Sequence, residues 1–107
     1  MISHVARDFS DVPAGRYQTD GPFSGEAFRE KHLWPALQKH SEVTVNLDGA
    51  EGYGSSFLEE AFGGLVRKGY LSRDELRRRL KIHSSDPTYP KEIFRYVDAA
   101  AKARSTS

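Results

Sequence analysis

The segment EVTVNLDG, residues 42–49, gives the clearest indication of the fold in this 107-residue chain. Val43, Val45 and Leu47 alternate strictly with polar residues, which is the pattern of a strand with one buried face. The pair Asp48-Gly49 then reads as a turn. We therefore predict a central β-strand here, with helices packed on its apolar face.

A helix is predicted directly downstream, after the glycine-rich connection 49–54. Apolar residues recur every three to four positions across residues 57–66 and form a broad buried stripe. Ser56 and Glu59 have the Ser-x-x-Glu spacing of a capping box, which places the helix start at Ser56. Gly63 and Gly64 disfavour a helix interior by about 1 kcal/mol each relative to Ala, so we expect another backbone to approach them closely.

Upstream of the central strand, Ser24 is a good N-cap for a helix over residues 25–39. Pro35 lies inside that helix and predicts a kink, or a restart with Pro35 in a first turn. Two short strands, at 4–9 and 16–19, are predicted as an N-terminal hairpin.

Downstream, Ser72 and Glu75 form a second capping box that opens a short basic helix. A last strand at 80–83 and a helix from about Pro90 follow, and residues 105–107 are predicted to be a disordered tail. Strands that alternate with helices predict a single α/β domain over residues 1–104, with a mixed sheet of about four to five strands and helices packed against it.

Composition excludes several classes of function. The 16 Lys and Arg nearly balance the 15 Asp and Glu, so no whole-molecule attraction to nucleic acid or anionic lipid is expected. There are no cysteines, no apolar run near the ~18 residues of a membrane span, and no secretory signal pattern, which predicts a cytoplasmic protein with no membrane contact. The four histidines lack ligand spacing, so neither a metal nor another cofactor is predicted.

The strand, glycine loop and helix together resemble those of STAS (sulfate transporter and anti-anti-sigma) domains. The resemblance is closer to a group of short bacterial STAS-like proteins of unassigned function. The shared motifs are Gly-Arg, Ser-Gly-Glu-x-Phe-Arg, Gly-x-Gly-Ser-Ser-Phe and Phe-Gly-Gly-Leu, found here at 15–16, 24–29, 52–57 and 62–65.

This resemblance implies a STAS-like fold and a regulatory role. In anti-anti-sigma proteins the first Ser of the pair is phosphorylated by a partner ATP-dependent kinase, which by motif position makes Ser55 the candidate acceptor. Gly54 stands where those proteins have Asp, and Phe57 stands where they have Gly.

Enzymatic interpretations fit the residues poorly. A serine hydrolase needs Gly-x-Ser-x-Gly, and neither Ser55 nor Ser56 has both glycines. A P-loop needs a Lys before its final Ser or Thr, which is missing between Gly49 and Ser56. No catalytic residue is therefore predicted, and the chain is expected not to be an enzyme.

We predict a regulatory protein-binding module whose partner is a histidine-kinase-like ATPase or an anti-sigma-like regulator. The alternative is a small-molecule or nucleotide sensor that uses the same helix N-terminus as an anion site. Ser55 and Ser56 are also consistent with a plain cap and turn, and Arg16, Glu26 and Arg29 with a salt-bridged surface. A weaker third function is nucleic-acid contact through residues 73–81, although consecutive arginines point in different directions and no specific nucleic acid is expected. The predicted partner or anion site consists of Gly52, Gly54, Ser55, Ser56, Glu59, Arg16, Glu26 and Arg29.

Overall fold

A computed structural model describes residues 1–105 and contains one three-stranded parallel sheet. Its strands are β1 (Ile2–His4), β2 (Val43–Asn46) and β3 (Leu80–His83), in the order β1-β2-β3. Ser3 pairs with Val45, which pairs with Ile82. The predicted central strand is therefore confirmed as the middle strand of the sheet.

Within residues 1–105, five α-helical segments connect and cover these strands. Two are long helices that each contain a π-helical turn, in which backbone bonds run from residue i to i−5. The helices are α1 (Val5–Asp8); α2, residues 25–39, with its π-turn at Arg29–Leu33; α3, residues 55–67, with its π-turn at Glu59–Gly63; α4 (Arg73–Arg79); and α5 (Thr88–Ser105).

The core lies between the sheet and the helices. Val43 and Val45 are buried on the inward face of β2, while Thr44 and Asn46 on the other face are partly exposed. Helices α2, α3 and α5 contribute most of the remaining apolar side chains, with Phe28, Phe57, Phe62, Leu65, Ile93 and Val97 all essentially inaccessible. This two-layer packing is what holds the amino end of α3 in place beside the sheet.

The predicted close approach of another backbone is confirmed at Gly63 and wrong at Gly64, the two glycines of α3. A Cβ on Gly63 would lie 3.3 Å from the backbone oxygen of Tyr96 in α5, so the two helices approach each other there. A Cβ on Gly64 would overlap the guanidinium of Arg29. Gly64 therefore makes room for the buried Arg29 side chain and not for a second backbone.

The prediction of a mixed sheet with four to five strands is wrong, because the sheet has three strands and all are parallel. The bounds of the strand predicted at 4–9 are wrong, because β1 covers Ile2–His4 and Val5–Asp8 form the helical turn α1. The Asp8 carboxylate accepts the N–H of His4 at 3.0 Å, which favours a helical turn and occupies a backbone donor that a longer strand would use.

The predicted strand at 16–19 is also wrong, and no hairpin forms. Residues 9–24 are a long loop with a single 3₁₀ turn at Gln18–Asp20. The backbone carbonyls of Gly15 and Arg16 accept the N–H groups of Gly25 and Glu26 at 3.0 Å each. Because the chain is used here to cap α2, it cannot pair as a strand.

Several predicted helix boundaries are confirmed. Ser24 caps α2 by accepting the N–H of Ala27 at 3.1 Å, and Ser72 and Glu75 bond reciprocally as a capping box. Pro35 follows the π-turn of α2, where Trp34 N–H bonds to the Arg29 carbonyl. The last helix starts at Thr88, slightly earlier than predicted, and includes Ser105 from the predicted tail, whereas residues 106–107 lie outside the described part.

Candidate functional site

The loop between β2 and α3 brings Gly52, Gly54, Ser55 and Ser56 to one surface at the carboxyl end of the sheet. Its path is fixed by the left-handed Gly49 (φ 98°) at its start. Gly54 and both serines are exposed. These four predicted site residues are therefore contiguous and reachable by a macromolecule.

Two tyrosines hold this loop from beneath. The Tyr53 hydroxyl donates to the Leu47 carbonyl at 2.7 Å, and its ring meets the Tyr89 ring edge-on at 5.3 Å. Burial, with the neighbouring Tyr89 and Asp48, raises the pKa of Tyr53, so its hydroxyl stays protonated and keeps donating. These contacts tie the loop to the end of β2 and to α5.

The start of α3 differs from the predicted capping box. Gly54 is the N-cap, no side chain caps the helix, and Ser55 and Ser56 form its first turn. The first backbone bond runs from Leu58 N–H to the Gly54 carbonyl at 3.2 Å. Within residues 1–105, no protein acceptor bonds the N–H groups of Ser55, Ser56 and Phe57.

Glu59 is not part of a capping box because its carboxylate binds arginines instead. It accepts from Arg16 on the 9–24 loop and from Arg67 on the last turn of α3. Glu59 therefore links α3 to the loop that caps α2, and the candidate surface includes both segments.

A buried ion pair joins the two long helices below this surface. Arg29, on α2, is fully buried and donates through Nη1 to both the Glu60 carboxylate (2.7 Å) and the Glu60 backbone carbonyl (2.6 Å). Its Nε donates to Glu30 at 2.8 Å, and Tyr70 donates to the same carboxylate. A π-turn leaves a carbonyl without its usual helical partner, and Arg29 satisfies the one at Glu60.

The same contacts set the charge of these carboxyl groups. Burial would raise the pKa of Glu60, but the hydrogen bond from Arg29 and the positive charges of Arg67 and Arg29 outweigh it, so the pKa of Glu60 is lowered. Burial is likewise outweighed for Glu30, whose pKa is lowered by the hydrogen bonds from Arg29 and Tyr70. Both carboxylates are therefore ionised at neutral pH and act as structural anions.

The other predicted site residues separate into different roles. Arg29 is inaccessible, so the prediction that its guanidinium contacts a phosphate or partner is wrong in this conformation. Glu26 is partly buried and its carboxylate accepts the Gln18 N–H at 2.8 Å. Arg16 retains 31% of its side-chain exposure while paired with Glu59 and Glu60, and it lies beside the candidate surface.

Sequence reasoning missed the residues that organise this region. Glu30, Glu60, Arg67 and Tyr70 complete the ionic network, and none carries a local motif. The exposed apolar side chains of the 9–24 loop were also missed. No local signal marked Val12, Tyr17 and Phe23, because apolar residues are no more frequent in the 9–24 loop than in the chain as a whole.

Two residues of the arginine-rich segment make contacts with other parts of the fold. Arg79 donates to the carbonyls of Leu37, His40 and Ser41 and so caps the carboxyl end of α2. Arg77 pairs with Asp98 at 2.7 Å. Of the other basic residues considered for a nucleic-acid function of residues 73–81, Arg73, Arg78 and Lys81 are exposed.

Comparison with known proteins gives one family. The family model described as a STAS-like domain of unknown function (DUF4325) matches residues 24–90, more than half of the chain. This confirms the resemblance seen in the sequence. No curated protein and no solved structure gives a significant match. Among the described residues, no helix is both long and apolar enough to cross a membrane.

Proposed function

The chain belongs to the family of STAS-like domains of unknown function, and on this premise we propose that it is a non-catalytic regulatory module that binds a protein partner around residues 52–60. The observation that carries the proposal is the start of α3. Ser55 and Ser56 are exposed there on the first turn of α3, directly after a loop that the Tyr53–Leu47 hydrogen bond ties to the end of β2. This is the position of the regulated serine pair in the anti-anti-sigma proteins that the sequence resembles.

The proposed switch is phosphorylation of Ser55, with Ser56 as the neighbouring acceptor to be tested. A phosphate at the first turn of a helix is stabilised by free N–H groups and the helix dipole. The partner class that this role implies is a histidine-kinase-like ATPase or an anti-sigma-like regulator. A cytoplasmic location is part of this proposal.

The shape of the site favours a protein over a small molecule as ligand. Small ligands bind in concave sites that enclose most of their surface. Gly54, Ser55 and Ser56 instead lie on an exposed helix start. The nucleotide-sensor alternative would require a partner or a movement to enclose the ligand.

Affinity capture from the native host tests the proposal, with wild type compared with Ser55→Ala and Ser55→Asp. We expect Ser55→Asp to change the recovered amount of a specific partner by at least about tenfold, since a charge at the helix start mimics part of a phosphate. Ser55→Ala should change it less. The control is Ser41→Asp, an exposed serine at the opposite, amino edge of β2.

Mass spectrometry of the chain isolated from its host decides the acceptor. Phosphate on Ser55 supports the assignment, and phosphate on Ser56 alone contradicts it. A partner that binds all variants equally would show that the serine pair is not the switch. Saturable turnover of an ester or nucleotide that is lost in Ser55→Ala would show instead that the chain is an enzyme.

A further inference from the structure

The 9–24 loop carries an unusual share of the exposed apolar surface. Among residues 1–105, five large apolar side chains are exposed, and Val12 (47%), Tyr17 (50%) and Phe23 (41%) are three of them. Single exposed apolar residues are ordinary, but a concentration of them indicates an interaction site. A loop of this length without regular structure is itself typical of binding loops.

This loop is ordered despite its lack of strands and long helices. The Ala14 N–H donates to the Phe23 carbonyl at 3.0 Å, and Tyr17 N–H donates to the Asp20 carboxylate at 2.8 Å. The carbonyls of Gly15 and Arg16 also accept the N–H groups of Gly25 and Glu26, which ties the loop to the start of α2. A surface fixed in advance loses little conformational entropy on binding, which favours recognition.

The loop also adjoins the serine pair of the proposed switch. The Glu51 N–H donates to the Asp11 carbonyl at 2.9 Å, which joins the 9–24 loop to the loop before α3. The Phe9 ring contacts Phe23 (5.7 Å between centroids) on one side and Phe57 (6.3 Å) on the other. Phe57 is buried, so this ring cluster ties the two loops together from the core side, while the Glu51–Asp11 bond places their exposed residues next to each other.

The charge of this surface is negative. Asp11, Asp20 and Glu51 are exposed, and within the described residues none of the three lies in an ion pair. The nearby cation, Arg16, is already paired with Glu59 and Glu60. A partner that covers this surface must therefore supply positive charge as well as apolar side chains.

We propose that Val12, Tyr17 and Phe23, framed by Asp11, Asp20 and Glu51, form the acidic–apolar surface that receives a basic amphipathic segment of the protein partner. This rests on the proposed function and specifies the chemistry of its partner. Apolar anchors of the segment cover the three side chains, and flanking Lys or Arg residues face the three carboxylates. A phosphate at the adjacent serines would add negative charge to the same surface and strengthen the attraction.

Phage display of random peptides of about 16 residues tests this surface without knowledge of the partner. Selection on the wild-type chain should enrich peptides that combine net positive charge with several apolar residues. Enrichment of acidic or uncharged peptides, or of none, overturns the proposal. The enriched peptide is then titrated into the labelled protein, and its amide shifts should map to residues 11–23 and 51–56.

Variants on and away from the acidic–apolar surface show which side chains bind the enriched peptide. Phe23→Ser should weaken the enriched peptide by at least about tenfold, because it removes an apolar anchor. Asp11→Asn combined with Glu51→Gln should weaken it about threefold to tenfold and flatten its dependence on salt. Ile2→Ser and Glu42→Gln, an exposed apolar and an exposed acidic residue elsewhere, should leave the affinity unchanged.

The result is separable from the test of the proposed function. If host partners bind but shift only amides of this protein outside residues 11–23 and 51–56, this inference fails while the regulatory module stands. If peptides bind here but no host partner responds to Ser55→Asp, the acidic–apolar surface stands and the serine switch fails. Equal weakening by Ile2→Ser and Phe23→Ser also overturns the inference, since it would show a general loss of stability.

Discussion

The amino ends of α2 and α3 are built from similar sequence and have opposite surroundings. Ser24 is buried and caps α2, and the carbonyls of Gly15 and Arg16 accept the next two N–H groups. At α3 the cap is Gly54, and no acceptor within residues 1–105 bonds the first N–H groups, which include those of the exposed Ser55 and Ser56. The comparison teaches that a serine at a helix start is structural where the chain folds back over it and is available for binding where it does not.

The buried Arg29–Glu60 ion pair joins α2 to α3, and breaking it is the most destabilising change we expect. Arg29→Met leaves Glu60 buried without its main partner, and we expect a loss of about 3 to 5 kcal/mol in the free energy of unfolding. Urea denaturation measures it.

Two companion variants separate the effect of the buried Arg29–Glu60 pair from that of the exposed Arg67–Glu60 pair. Arg67→Gln removes an exposed arginine bonded to the same Glu60 carboxylate and should cost less than about 1 kcal/mol. Adding Glu60→Gln to Arg29→Met should restore part of the loss, because no unpaired charge is then buried. Equal losses for Arg29→Met and Arg67→Gln would show that burial does not distinguish the two arginines.

Acid is expected to destabilise the fold by protonating Glu60 and Glu30 and so weakening their ion pairs with Arg29. The pKa values of Glu60 and Glu30 are lowered in the folded chain, so their ion pairs contribute stability that is full above the ordinary value of 4.5. That stability is lost as the pH falls through the lowered folded values. We expect the unfolding free energy to fall steeply below about pH 4.5.

The variant Glu60→Gln checks the assignment of this acid sensitivity. It should be less stable than wild type at pH 7, and the difference should shrink as both are acidified below pH 4.5. Unfolding curves across this range make the measurement. A difference that stays constant with pH would assign the acid response to other carboxylates.

The two helix starts can be compared directly by removing one hydroxyl from each. Ser24→Ala should cost about 1 kcal/mol, because it leaves the Ala27 N–H unpaired in a buried setting. Ser56→Ala should change stability by less than about 0.5 kcal/mol, since Ser56 is exposed and caps nothing. Similar costs for both variants in urea would mean that Ser56 caps α3 in solution.

The sequence predicted those elements that depend on contacts between residues close together in the chain. The alternation at Val43 and Val45 identified the central strand, and the caps at Ser24 and Ser72 fixed two helix starts. The Ser56–Glu59 spacing was misleading because Arg16, 43 residues away in the chain, and Arg67 bind Glu59. No local pattern reports such a long-range ion pair.

The same limit applies to the loop and the site. The hairpin prediction failed because Gly15 and Arg16 serve the amino end of α2, a contact visible only in three dimensions. The serine pair could be located from sequence because it directly follows β2. The acidic–apolar surface could not, because it combines two loops separated by α2 and β2.

We expect the smallest effect from giving α3 a side-chain N-cap, such as Ser24 provides for α2. Gly54 has extended backbone angles (φ −72°, ψ 154°), and a Cβ at this position would meet open space, so Asp fits there. Gly54→Asp supplies a capping oxygen and should stabilise the fold by about 0.5 kcal/mol, or about 2 to 4 °C in Tm. Gly54→Ala is the matched control, since it removes the glycine without adding a cap. If the free N–H groups of α3 contact the partner, Gly54→Asp should also reduce capture while Gly54→Ala does not; equal capture by both would show that the partner is held by the neighbouring side chains alone.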